Sequence, residues 1–167
     1  MTSKRNMEKQ IHSIPPFWRP DSEQLILGSF PSVKSREQRF YYAHPQNRFW
    51  RVTAAVFDCD PPAGPDEKAM FLEKNKIALW DVIAVCEISG SSDSSIRNAV
   101  PNRLARILEN CPIRRIFVNG KTAERLYVKY LQPETGKEAV FLPSTSPANA
   151  AWTLPRLIDA WSVLRED

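Results

Sequence analysis

The stretch QLILGSF, Gln24 to Phe30, sets three large aliphatic residues side by side and stops at a glycine. It is too short for a stable helix and apolar at both alternations, the pattern of a strand buried on both faces of a parallel sheet. Three further runs share the pattern: IALWDVI (77–83), RRIFVNG (114–120) and EAVFLPS (138–144). Helical spacing separates them. NRFWRVTAAVF puts Phe49, Trp50, Thr53, Ala54 and Phe57 on a repeat, with Asn47 at its start. PNRLARILENC aligns Leu104, Ile107 and Leu108, KTAERLYVKYL follows the third run, and LPRLIDAWSVLRED closes the chain with Leu157, Ile158, Trp161 and Leu164. Strand and helix in alternation predict an α/β fold: a three-layer α/β/α sandwich around a central four-stranded, mainly parallel sheet.

The 167 residues suit one domain, 1–167, in which IHSIPPFWRPDSEQ makes residues 1–20 an extended N-terminal segment packed on the body. A chain that is 43% hydrophobic and 25% charged is expected to have a real core. The net charge of +4 favours an anionic partner, nucleic acid among them, without requiring one. Cys59, Cys86 and Cys111 are widely spaced and contain no C-x-x-C pair, which disfavours a disulfide framework, a zinc cage or an iron–sulfur site and fits buried thiols in a reducing compartment. No apolar run reaches membrane-spanning length, and MTSKRNMEKQ lacks the apolar core of a secretory signal, so the expected location is cytoplasmic.

An open parallel sheet binds its ligands beyond the C-terminal ends of its strands. There this chain places GSFPS (28–32), NGKTA (119–123) and PSTSPAN (143–149), and YYAHPQNRFW (41–50) continues the first loop into the same crevice. GSFPSV is too poor in glycine to cradle phosphate, and NGKTA lacks the upstream glycine of a P-loop, which disfavours an ATPase. No G-x-S-x-G elbow marks a hydrolase triad. With His12 and His44 the only histidines, and neither at metal-site spacing, no metal is expected. His44 suits acid–base work but, before a proline, equally suits a structural hydrogen bond. In ISGSSDSSI a flexible polar loop with Asp93 or Ser94 capping a helix is preferred to a catalytic Asp93. Asn47 would cap the helix that begins RFW, a role compatible with its amide contacting a base edge or a water. Tyr41 and Tyr42 fit either the core or a stacking platform for a base.

With LILGSFPSVKSREQRFYYAHPQNRFW and LPSTSPAN in place, the chain resembles the uracil-DNA glycosylase superfamily, and within it most of all the hypoxanthine (deoxyinosine) DNA glycosylase group. The likeness runs strand by strand along nearly the whole chain. Mismatch-specific uracil glycosylases share a segment similar to AHPQNRFW. The superfamily's first loop usually carries Asn or Asp at its third position, to hold the attacking water. Here Gly28, Ser29, Phe30, Pro31 and Ser32 fill that loop, and Phe30 takes the polar position. In the hypoxanthine group phenylalanine is ordinary there, and the resemblance moves the catalytic role to Asn47.

The same resemblance implies the remaining parts. Tyr42 stacks on the extruded base, while Gly28, Ser29, Phe30, Pro31, His44 and Ser144 complete the base pocket. The backbone amides of Ser29 and Phe30 would bind base oxygen. The second motif places Ser144, Thr145, Ser146 and Pro147 where related chains carry a leaving-group contact and a wedge, with Ala148 a small wedge and Asn149 beside it. Ser146, Pro147 and Asn149 would grip phosphate and groove, and Lys34, Arg36, Arg39, Arg48 and Lys121 surround the crevice as phosphate contacts. The implied partner is DNA containing deaminated bases, met by a monomer without cofactor. With no lysine placed for a Schiff base, a monofunctional glycosylase is expected. The alternatives are a uracil or mismatch-specific glycosylase, which Phe30 opposes, and a noncatalytic DNA-lesion-binding protein.

Overall fold

A computed structural model describes residues 8–166. The four apolar runs form one parallel sheet from β2 (Gln24–Gly28), β3 (Ile77–Asp81), β6 (Arg115–Asn119) and β7 (Ala139–Leu142), in the order β3-β2-β6-β7. Leu25 pairs with Ala78 on one side and Ile116 on the other, and Phe117 pairs with Val140. The first three strands are apolar at both alternations because both faces are covered. Leu25, Leu27, Ala78, Ile116 and Val118 pack beneath Leu104, Ile107, Ala123, Leu126 and Tyr127. Their alternates Ile26, Ile77, Leu79 and Phe117 pack against Phe49, Trp50, Val52, Phe71, Leu72, Leu157 and Trp161. The expected three layers are therefore present.

The first layer holds α4 (Ala105–Asn110) and α5 (Lys121–Leu126), the latter running through a π-helical turn at Tyr127–Leu131 into α6 (Gln132–Thr135). The second holds α2 (Phe49–Val56), α3 (Pro65–Lys74) and α7 (Leu154–Trp161). A short α1 (Val33–Gln38) follows the first loop, capped by Ser32 Oγ accepting from the Ser35 amide. Thr153 caps α7 in the same way and Pro155 fills its first turn, where no amide is needed.

A second sheet is an addition to the expected fold. β1 (Glu8–Ile11), β4 (Ile83–Ile88) and β5 (Arg97–Pro101) pair antiparallel in the order β1-β4-β5. The extended reading of the N-terminal segment, whose residues 1–7 lie outside the described residues, is refined over the rest: Glu8–Ile11 is a paired strand, the His12 amide donates to the Ala84 carbonyl, and Phe17 bridges Leu79. The expected run at 77–83 is also two strands, separated by Val82 alone, so the backbone leaves the parallel sheet and enters the small one at the mouth of the crevice. No described helix is long and apolar enough to cross a membrane.

Candidate active site

The C-terminal ends of β2, β3 and β6, together with the loop after β7, surround a pocket of about 310 Å³. Small-ligand sites begin at about this size. Gly28, Ser29, Phe30, Pro31, Tyr42, His44, Asn47, Ser144, Ser146, Pro147 and Ala148 all line it. Asn149 and Lys121 do not. The Asn149 amide donates to the Ser144 carbonyl at 3.0 Å, bracing the last loop from within, and Lys121 is exposed at the start of α5.

The N-cap position is Arg48, and Asn47, expected to cap, instead satisfies the helix's first amide from one residue further out. Its Oδ1 accepts from the Phe49 amide at 2.9 Å, where the helix proper begins. Because the oxygen is held by a backbone N–H, the Nδ2 hydrogens turn away from the helix, and among the described residues they meet no acceptor. Tyr42 has φ of 53°, a conformation an aromatic side chain rarely adopts. Its ring stacks on Phe49, centroids 4.0 Å apart and planes 12° from parallel, which ties the strained residue to the start of α2. Burial, and then the Asp81 charge, push its phenol above the ordinary range. The hydroxyl has no partner in hydrogen-bonding geometry, though Asn119 lies close enough to favour the ionised form slightly. His44 accepts the Gln46 amide on Nδ1, a turn-forming bond.

Two expectations change. Arg48, expected beside the crevice as a phosphate contact, is engaged within the protein: its guanidinium donates to the carbonyls of Trp152, Ser146 and Asn149, and its amide donates to the Thr145 carbonyl. It clamps the loop after β7 onto α2. Asp93 caps no helix through its side chain, because the three residues from Asp93 to Ser95 form only a single 3₁₀ turn. Instead it lines the pocket and accepts from Ser29 Oγ at 2.8 Å. It keeps solvent contact at the mouth, yet the surrounding walls desolvate its carboxyl and raise its pKa. The Ser29 bond opposes that rise and Asp81 adds to it. Of the other cations, Arg36 donates to the Gly90 carbonyl and lies over the Phe30 ring, Lys34 pairs with Glu37, and Arg39 is exposed at the end of α1.

The structure also brings in residues that sequence reasoning passed over. Asp81, at the end of β3, is buried in the pocket and paired with His12 at 2.8 Å. Asn119, at the end of β6, exchanges two bonds of 3.1 Å with Thr145, joining that strand end to the last loop. Gly120 has φ of 97°, and a Cβ there would come within 3.0 Å of Ser144 Cβ, so glycine permits this approach. Asp81 and Asn119 are the last residues of β3 and β6, but the predicted runs 77–83 and 114–120 continued past both, and only their polar character within apolar runs pointed to the site. His12 carried no such signal.

The family model of the Uracil DNA glycosylase superfamily matches residues 15–165. The chain belongs to this superfamily. It is 35% identical over 147 residues to a relative from Methanosarcina acetivorans named Hypoxanthine DNA glycosylase, covering 87% of this chain and 92% of the relative. A Methanosarcina barkeri relative of the same name is 32% identical over 145 residues, 86% of this chain and 89% of its own. A solution NMR structure of a candidate uracil DNA glycosylase from Methanosarcina acetivorans superposes with a TM-score of 0.76 at 31% identity, covering 92% of this chain and 97% of that one. This superfamily member therefore resembles those relatives in sequence and shares its fold with the solved structure.

Proposed function

We propose that the protein is a monofunctional DNA glycosylase that hydrolyses the N-glycosidic bond of hypoxanthine in DNA. The observation that carries this reading is Asn47 and Tyr42 lining one pocket, in a chain 32–35% identical to two relatives named hypoxanthine DNA glycosylase. The target base leaves the duplex at a cost of a few kcal/mol, lowest for mispaired bases such as hypoxanthine opposite thymine. Tyr42, backed by Phe49, gives it a stacking surface.

In the reaction the bond from C1′ to N9 breaks and its electron pair leaves with the base, so positive charge gathers on the sugar. Water oxygen then bonds to C1′, and the proton it releases ends on the base. Donors aimed at the accumulating negative charge lower the barrier most. With Oδ1 engaged by the Phe49 amide, Asn47 is left with Nδ2 to donate toward the departing base. Ser144 and Ser146 line the same pocket, and Pro147 and Ala148, next in the loop, are the segment that would enter the duplex.

Single-turnover release from duplexes bearing one deoxyinosine or one deoxyuridine tests the reading. Wild type is expected to release hypoxanthine preferentially. Asn47→Ala should slow release on the order of a hundredfold and cost about 1 kcal/mol through the lost bond to the helix's first amide. Asn47→Asp keeps the accepting oxygen and loses the amide donor, so it should retain stability and still lose rate. Preferential release of uracil would move the protein to the uracil-directed enzymes. Lesion binding without release of either base would make it a sensor.

A further inference from the structure

Lining the pocket is Asp81, hydrogen-bonded to His12 in a pair that the proposed chemistry does not yet use. Asp81 Oδ2 meets His12 Nε2 at 2.8 Å, with the two side chains 5% and 1% exposed. The backbone decides the direction of this bond. The Ile14 amide donates to His12 Nδ1 at 3.2 Å, so Nδ1 holds a lone pair and the ring proton sits on Nε2, where it donates to the carboxylate. His12 is walled in by Phe30, edge-on at 5.9 Å, with Tyr41 and Trp80 on other sides. Phe30 thus occupies the loop position where the superfamily usually places its water-holding amide, and packs against this pair instead.

The second carboxylate oxygen is the free one. Oδ1 accepts no hydrogen bond among the described residues, and Asp81 lines the pocket. Oδ1 stands over Gly28 so closely that a Cβ there would come within 2.4 Å of it, so any other residue in the first loop's opening position would have to displace the carboxylate.

Resting on the glycosylase reading above, we propose that the His12–Asp81 pair reads the edge of the flipped base: Asp81 Oδ1 accepts the ring N1–H of hypoxanthine, and His12 is the positioning residue that holds the carboxylate for it. A carboxylate can only accept. Hypoxanthine presents a donor at N1, whereas adenine, from which it arises by deamination, presents a lone pair there. The contact therefore attracts the damaged base and repels its undamaged parent at one atom. It also suits a purine whose other ring nitrogens, N3 and N7, are acceptors, since the Asn47 amide has the Nδ2 donor to give.

The test compares single-turnover base release from oligonucleotides carrying deoxyinosine or deoxynebularine, a purine nucleoside without the 6-oxygen whose N1 is a bare lone pair. Wild type should prefer deoxyinosine by roughly ten- to a hundredfold, the size of one well-made base-edge contact. Asp81→Asn, nearly isosteric, should bring that ratio toward one. His12→Ala should lower it by a similar factor, while His12→Gln, which retains an N–H donor, should restore most of it. Equal release of the two purines by wild type overturns the proposal without any variant. An unchanged ratio in Asp81→Asn overturns the reader, and a slower His12→Ala with an unchanged ratio reduces His12 to a structural role. Failure of wild type to release hypoxanthine at all strikes the underlying glycosylase reading instead.

Discussion

At the scale of single residues, the pocket depends on how closely backbone and side chain approach at Gly28. Its φ is unexceptional, so conformational freedom is not the reason for glycine. The reason is space: an added methyl would lie 2.4 Å from Asp81 Oδ1 and 3.3 Å from the Tyr42 hydroxyl. Asp81 cannot simply swing aside, because His12 holds its other oxygen. Gly28→Ala should therefore break that bond, costing about 2 kcal/mol as a hydrogen bond to a charged group. It should slow base release at the same time. Urea denaturation checks the first effect and single-turnover release the second. A stable, fully active Gly28→Ala would show that the carboxylate moves freely and is not held for a purpose.

At the scale of elements, the site is assembled by ties between the start of α2 and the loop after β7. Arg48 makes most of them, donating to four carbonyls of residues 145–152 through its amide and guanidinium. Arg48→Ala should cost about 2–4 kcal/mol, since several charge-assisted bonds to half-buried carbonyls vanish together. The loop bearing Ser144 to Ala148 should then loosen, with a higher KM for DNA and faster amide exchange in that loop. Arg48→Lys should rescue little, because one ammonium cannot reproduce a planar fork that reaches three carbonyls. If loss of DNA binding came without loss of stability, a phosphate contact would explain Arg48 better than a clamp. How much could be read in advance also divides by element. β2, β3 and β6 were legible because burial on both faces removes every polar position from their interiors. β1 and β5 were not: EKQI and RNAVP have no apolar signature and are held by backbone pairing, and β4 follows β3 after one residue. Asn47 and Tyr42 were found through a local motif. His12 and Asp81 stand 69 residues apart, and only the meeting of two sheets makes them neighbours.

At the scale of the whole molecule, several hydroxyls and thiols are neutral because they are buried, and this gives folding a sign in alkali. Burial, and then the Asp81 charge, push the Tyr41 and Tyr42 phenols above their ordinary value near 10. Burial likewise raises the Cys86 thiol to about 11 and raises Cys111 and Tyr127. In each case the unfolded chain gives up its proton at a lower pH than the folded one. The contribution is therefore fully present below the unfolded pKa and is lost as pH climbs from there toward the folded pKa. Lys68, whose pKa burial lowers, works in the opposite direction, but it is one group against five. Urea midpoints should be level from about pH 7 to 8.5 and fall from about pH 9 upward, each fully linked group adding up to about 1.4 kcal/mol per pH unit. Tyr41→Phe should flatten the fall, even though it removes the bond from the phenol to the Pro15 carbonyl and lowers stability at neutral pH. A midpoint unchanged to pH 10.5 would mean that these phenols reach water in the folded state, and that the pocket floor they form is not the dry surface on which a base would stack.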